Sequence, residues 1–180
     1  MSVRSGILAI LTIGPAYGFQ LHGELDARTL GRRSVNVGQV YATLERLTRG
    51  GSVEPAGTTD DGLPLYRLTE QGEREASEWL GSTIASPGEE WSEMLDRVLI
   101  AVSLPSYDAG AVVREYREHW ALEASRTAEF TADLAATAAS ALAAAALGWL
   151  DAVEERLAMP PQLAHGFDAQ RPKRGRRPAA

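Results

Sequence analysis

The stretch NVGQVYATLERLTR, residues 36–49, sorts its side chains onto two faces at helical spacing. Val37, Val40, Leu44 and Leu47 repeat every three or four residues and form one apolar stripe. The other face reads Gly38, Gln39, Ala42, Thr43, Arg46 and Arg49. An amide, a hydroxyl and two guanidinium groups interleaved with small residues break no bonds. They make a row of hydrogen-bonding groups that can approach a polar, anionic surface closely. Asn36 is placed to cap the helix, with Gln39 three residues on, and Gly50-Gly51 ends it.

Covalent chemistry finds little support elsewhere. The absence of Cys removes a disulfide framework, a thiolate metal site and a Cys nucleophile. The three histidines, His22, His119 and His165, lack the spacing of metal ligands. No nucleophile–base pair and no phosphate-binding loop are visible, and Glu89, Glu90 and Glu93 sit at a helix start, where carboxylates suit the helix dipole. The expectation is a protein with no metal, no cofactor and no enzymatic activity.

The elements that would hold the polar face can be read along the chain. Val3, Ile7, Ile10 and Leu11 share one side of a first helix that stops at Gly14-Pro15. Phe19, Leu21, Leu25 and Leu30 are the expected inward positions of a second. After the Asn36 helix, SVEPAGTTDDGLPLYRLT reads as two short strands around an Asp-Asp-Gly turn, and Thr69 caps a further helix ending near Leu80. STIASPGEEW marks a boundary. Beyond it come a helix stopped by Pro105, a long helix capped at Ser106, and a last helix striped by Leu142, Ala146, Trp149, Val153 and Leu157. Between Ala132 and Ala146 there are 10 Ala in 15 residues, and the break between the last two helices is expected near 136–140.

With 44% apolar residues a core is assured. The first apolar segment reads as a core helix rather than a signal peptide, and no apolar run is expected to span a membrane. A Cys-free chain fits a cytoplasmic setting, and a single Lys beside abundant Arg and Ala fits a GC-rich bacterial genome. Charge is uneven. Residues 1–85 carry 8 basic and 10 acidic groups, residues 86–170 carry 5 and 14, and residues 171–180 carry 5 and none. An acidic chain is no nonspecific nucleic-acid coat, although basic groups clustered on one face still permit specific binding.

Three helices, two strands and a helix within about 80 residues is the order of a winged helix-turn-helix unit, whose third helix enters the major groove. The fold class expected is mainly α with a small β-hairpin wing: residues 1–85 as the winged helix, 86–160 as a helical dimerisation and effector domain, and 161–180 as a disordered basic tail. On this reading Gln39, Thr43 and Arg46 reach base edges or phosphates, Gly38 permits close approach, and Asn36 is counted with them as a DNA-binding residue. Arg32 and Arg33 flank phosphates, and Tyr17 and Gly18 open the second helix where backbone amides and a hydroxyl hold a phosphate.

Three segments in order resemble the PadR-type transcriptional regulators. These are ILAILTIGPAYGFQLHGEL, NVGQVYATLERLTRGGSVE and LYRLTEQGE, with GWLDAVEERL resembling the last helix of longer members. The resemblance implies a cytoplasmic homodimer that binds an inverted repeat of double-stranded DNA, usually as a repressor, with dimerisation through the C-terminal helices. It further implies release by a small, often aromatic, effector and no membrane partner. It also implies that the Tyr41 hydroxyl reaches a phosphate. Two features depart from the family pattern. Ala42 stands where Pro is usual, and the wing carries Asp60 and Asp61 at its tip with only Arg67 nearby. Carboxylates facing phosphates weaken binding, so the wing is expected to touch DNA through the Gly62 backbone or hardly at all.

Trp91, Trp120 and Trp149 fit either dimer-core packing or an effector pocket in which a flat ligand stacks. The tail RPKRGRRP fits a solubilising end, a strand folded back on the acidic helices, or an Arg-Gly-Arg-Pro-like minor-groove element. The rival to DNA binding is a winged helix that holds a partner protein instead, a reading the acidic wing tip favours.

Overall fold

The computed structural model describes residues 2–82, 90–128 and 134–168. Its elements run α1 (Val3–Leu11), β1 (Ala16–Tyr17), α2 (Gly18–Arg28), α3 (Val37–Arg49), β2 (Val53–Thr58), β3 (Pro64–Leu68), α4 (Glu70–Gly81), α5 (Glu90–Ser103), α6 (Ala109–Ala128) and α7 (Leu134–Leu157). They fall into two compact units. One is residues 2–76 together with the chain from Gly166, and the other is Ser77–His165. The expected boundary at 85/86 lies outside the described residues.

In the first unit α1 is the centre. Gly6 through Leu11 are all buried, because α2, α3 and β3 pack around it. Ser2 caps it by accepting the Ser5 amide at 3.2 Å. The sheet has three antiparallel strands in the order β1-β3-β2, one more than expected. The extra strand is Ala16–Tyr17, paired with Tyr66 and Leu65, and two residues are too short for an alternating pattern to show. The wing turn closes where the Gly62 amide donates to the Thr59 carbonyl at 2.8 Å, with Gly62 at φ +80°. Thr69 caps α4 by accepting the Gly72 amide, as expected. Leu30 departs from its expected inward position. It is 75% exposed at φ 52°, because α2 has already ended at Arg28 and the chain turns away.

In the second unit α5, α6 and α7 pack around Met94, Val98, Ala101, Val112, Tyr116, Trp120, Ala146 and Leu150. Four expectations are corrected. Asp108, not Ser106, caps α6, its carboxylate accepting the Ala111 amide at 3.1 Å. Helix α7 runs unbroken through 136–140, since Ala-rich sequence carries no break of its own. Its buried residues are Ala143, Ala146 and Leu150, so Leu142 is 39% exposed and the stripe is rotated from the expected one. Helix α7 is also long and apolar enough to cross a membrane by length and composition, contrary to the expectation that no run reaches that length.

Candidate nucleic-acid interface

Helix α3 is capped as its sequence requires: the Asn36 side chain accepts the Gln39 amide at 2.8 Å. Val40, Leu44 and Leu47 are buried against α1 and α2. That contact fixes the rotation of α3 and leaves Gly38, Gln39, Tyr41, Ala42, Glu45, Arg46 and Arg49 exposed. The approach to α3 is held by His22, whose Nε2 lies 2.7 Å from the Val35 carbonyl. Sequence spacing had discounted this histidine only as a metal ligand.

Thr43 is the clearest correction. It is 3% exposed and its hydroxyl donates to the Gln39 carbonyl at 2.8 Å. A β-branched residue one position from Leu44 falls on the flank of the helix and satisfies its hydroxyl internally, so it offers nothing to a ligand. It acts on Arg46 instead, whose Nη2 donates to the Thr43 hydroxyl at 3.1 Å while Nε donates to the Ala42 carbonyl. The guanidinium is thus laid along α3. Arg49 pairs with Glu45 one turn back at 2.6 Å, on a fully solvated face where such a pair contributes little.

Tyr41 is 40% exposed and seated on Gly18, the first residue of α2. A Cβ on Gly18 would stand 2.6 Å from Tyr41 Cε1 and 2.8 Å from Cζ. The ring therefore occupies the space that any other residue at 18 would fill. Tyr17, the N-cap of α2, makes no side-chain cap bond, so the first amides of that helix are free of a capping side chain beside Tyr41. Tyr17 itself is only 7% exposed and packs as a core residue. Arg32 and Arg33 lie in the turn after α2, where their amides donate to the Thr29 carbonyl and hydroxyl.

On the wing, Glu54 and Arg67 are direct cross-strand partners, and Arg67 donates to Glu54 through Nε at 2.8 Å and Nη2 at 2.7 Å. The cation nearest the wing tip is thereby neutralised. At the tip the Thr59 hydroxyl donates to Asp61 at 2.5 Å, and Asp60 and Gly62 are exposed. A phosphate gains nothing from this surface except backbone amides.

The second unit sorts the tryptophans. Trp120 is 5% exposed, with its indole N–H 3.0 Å from the Met94 sulfur, which makes it core. Trp91 and Trp149 meet edge to face at 6.3 Å and are only half-buried. Sequence spacing missed a further cluster. Arg97, 1% exposed on α5, lies 5.2 Å from the Trp79 ring centroid and 5.7 Å from that of Tyr116. It pairs with Glu93 at 3.1 Å, yet its Nε and Nη1, the Tyr116 hydroxyl and the Trp79 N–H find no well-aligned hydrogen-bond partner among the described residues. Burial pushes the Tyr116 hydroxyl up to about 12, against the opposing pull of the Arg97 charge. Among the described residues no group of three or more His, Asp or Glu is arranged to hold a metal ion.

Residues 7–78 match the family model of the transcriptional regulator PadR-like family. This segment is a PadR-like domain. It runs from the middle of α1 through most of α4, and so contains Gly18, Tyr41 and the whole exposed face of α3. No curated protein matches the chain in sequence. Among solved structures, Bacillus subtilis PadR in complex with operator DNA is similar at 18% identity and TM-score 0.43, covering 85% of this chain and 96% of its own. The same protein in complex with p-coumaric acid gives 19% and 0.41, covering 87% and 99%. A Streptococcus mutans protein gives 22% and 0.42, covering 88% and 100%.

Proposed function

We propose that this chain is a cytoplasmic, homodimeric, sequence-specific DNA-binding regulator. It acts as a repressor on an inverted repeat near promoters. The observation that carries the reading is the exposed face of α3 beside the α2 N-terminus, where Gly18 admits the Tyr41 ring. Tyr41 brings a hydroxyl next to backbone amides, a pairing suited to one phosphate oxygen. Gly38 and Gln39 lie within a turn before Tyr41 and Arg46 about one and a half turns after it on the same helix, where a major groove presents base edges. The PadR-like domain supports the same reading.

Dimerisation falls to the C-terminal helices. Leu134, Leu142 and Leu122 are 88%, 39% and 66% exposed on α7 and α6, an apolar surface that a second copy would cover. A two-fold dimer reads a two-fold site. A small aromatic effector would work by favouring a dimer whose recognition helices no longer match the half-site spacing. The half-buried Trp91–Trp149 pair is its candidate platform, and Trp120 is withdrawn as core.

The deciding experiment is a gel shift with the DNA upstream of the protein's own gene, comparing wild type with Arg46→Ala and Tyr41→Phe. A discrete, salt-sensitive complex weakened roughly tenfold in each variant is expected. A wild type that binds neither this DNA nor any sequence recovered from a random pool overturns the reading. It would favour a partner-protein module, for which the acidic wing and its neutralised Arg67 are the specific observation.

A further inference from the structure

The first unit holds residues from the far end of the chain, well outside the PadR-like domain. On α2, Glu24 and Arg28 are one turn apart and only 6% and 3% exposed, with Arg28 Nε donating to Glu24 Oε2 at 2.7 Å. A buried ion pair is favourable only when its remaining hydrogen-bonding atoms also find partners. Two of those atoms are taken by main chain. Arg28 Nη2 donates to the Gly166 carbonyl at 3.0 Å, and Glu24 Oε1 accepts the Asp168 amide at 3.0 Å. The pair thus presents one donor and one acceptor to a carbonyl and an amide two residues apart, groups that a main chain carries whatever its side chains. Phe167, between them, is half-buried.

Helix α2 governs both ends of the exposed face of α3. Its first residue, Gly18, seats the Tyr41 ring. Its last turn directs the chain into α3 through Thr29, which is fully buried. The Thr29 hydroxyl donates to the Leu25 carbonyl at 2.7 Å and accepts the Arg33 amide at 3.3 Å, and the Thr29 carbonyl accepts the Arg32 amide at 3.0 Å. Arg28 is the residue before Thr29 and the last of the helix. Its guanidinium is fastened on one side to Glu24 and on the other to Gly166. Such fastening matters in α2, because helix ends fray and Gly18 and Gly23 both lie within its eleven residues, where Gly is the least favourable residue after Pro.

We infer that Glu24 and Arg28 form a docking site for the main chain of residues 166–168, and that the docked segment is a working part of the DNA-binding unit. It holds the last turn of α2 and, through Thr29, the path of the chain into α3. The unit that reads DNA is then not residues 1–85 alone but those residues completed in cis by the C-terminal segment. Glu24 and Arg28 are positioning residues and touch no DNA themselves. The consequence for DNA rests on the DNA-binding reading above, whereas the docking does not.

The test compares three full-length proteins: wild type, Asp168→Pro, which deletes the amide that Glu24 accepts, and Asp168→Ala, which keeps it. Each is followed by thermal melt, by residue-resolved amide hydrogen exchange and by affinity for the operator recovered in the gel shift above. Asp168→Pro is expected to melt roughly 2–4 °C lower. The amides of Thr29, Leu30, Gly31 and Arg32 should exchange faster, by a factor at least about tenfold larger than at Ile10 and Leu11 of α1. Operator affinity should fall about three- to tenfold at a temperature where both proteins are folded. Asp168→Ala is expected to match wild type in all three. Equal speeding at all of these amides would mean general destabilisation and overturns the positioning role. Asp168→Pro equal to wild type in melt and exchange overturns the docking. Local speeding with unchanged operator affinity overturns the link to DNA and leaves the DNA-binding reading standing. A wild type that binds no DNA removes that link together with the reading, while exchange still decides the docking.

Discussion

The Tyr41 ring rests on the bare backbone of Gly18, so close that a single added methyl at 18 would lie 2.6 Å from the ring. The two residues sit on different helices and are tied by shape. Gly18→Ala leaves α2 able to form, since Ala is a better helix residue by up to about 1 kcal/mol. The ring, free at its outer end, swings away. The expected outcome is a thermal melt within a few degrees of wild type and a DNA affinity about tenfold lower, matching Tyr41→Phe. The double variant should be no weaker than either single one, because both remove the same placed hydroxyl. Independent, additive losses in a gel shift would show that Gly18 does not act through Tyr41.

Gly72 is a purely structural counterpart. A Cβ there would lie 2.0 Å from the Ser52 carbonyl oxygen, a backbone atom with no freedom to move aside. Helix α4 is fastened at this point to the turn after α3, where the Thr69 amide donates to the same Ser52 carbonyl. Gly72→Ala is expected to cost roughly 2–3 kcal/mol in urea denaturation, with DNA binding by the folded fraction intact.

Much of this was legible in the residues. Asn36, Thr69 and the Val40-Leu44-Leu47 stripe announce capped and oriented helices, because caps and apolar periodicity act locally. The winged order and the exposed half of α3 follow from them. What failed to show depends on particular side-chain contacts, several of them with partners far along the chain. Thr43 looks outward on a helical wheel until Arg46 is seen bonded to its hydroxyl. Glu24 and Arg28 read as an ordinary surface pair until Gly166 and Asp168 arrive from 138 and 144 residues away. Phe167 and Asp168, expected in a disordered tail, are held for the same reason. Arg97 reads as a helix surface charge until Trp79 and Tyr116 enclose it.

Glu75 gives the first unit a pH dependence. Burial alone would raise its carboxyl, but hydrogen bonds from Gln71, Ser52 and Arg4 together hold it below the usual glutamate range. A depressed folded value means the unfolded chain takes up the proton first as pH falls. The contribution is therefore complete above the unfolded glutamate value near 4.5 and is lost as pH drops through the lower folded one. Glu75→Gln is expected to be roughly 1 kcal/mol less stable at pH 7 and to show a flatter acid limb between pH 5 and 3 in chemical denaturation.

Tyr116 acts at the other end of the scale. Its hydroxyl is pushed up from 10.0 to about 12, chiefly by burial. The unfolded chain ionises first as pH rises, so stability is full below about 10 and is lost between there and about 12. In an ultraviolet titration of the five tyrosines a late-ionising component that includes Tyr116 should stay protonated past pH 11. Tyr116→Phe should reduce that component and flatten the alkaline loss of stability.

Helix α7 decides between an aqueous dimer and a bilayer. Only 17% of its most apolar window is buried within the chain, and Leu134 and Leu142 face outward. Yet Asp151, Glu154, Glu155 and Arg156 crowd its last two turns, and Asp151 and Glu154 both pair with Arg117 of α6. Two carboxylates and a guanidinium at that depth would be expensive in hydrocarbon, whereas a second α7 laid along the alanine face needs only close approach. Light scattering in detergent-free buffer is expected to give twice the chain mass at micromolar concentration. Leu142→Arg should reduce it to the single chain mass and weaken operator binding with it, since one protomer reads only half of a two-fold site. A monodisperse monomer at tens of micromolar, or partition of the protein into added vesicles, would overturn the dimer assignment.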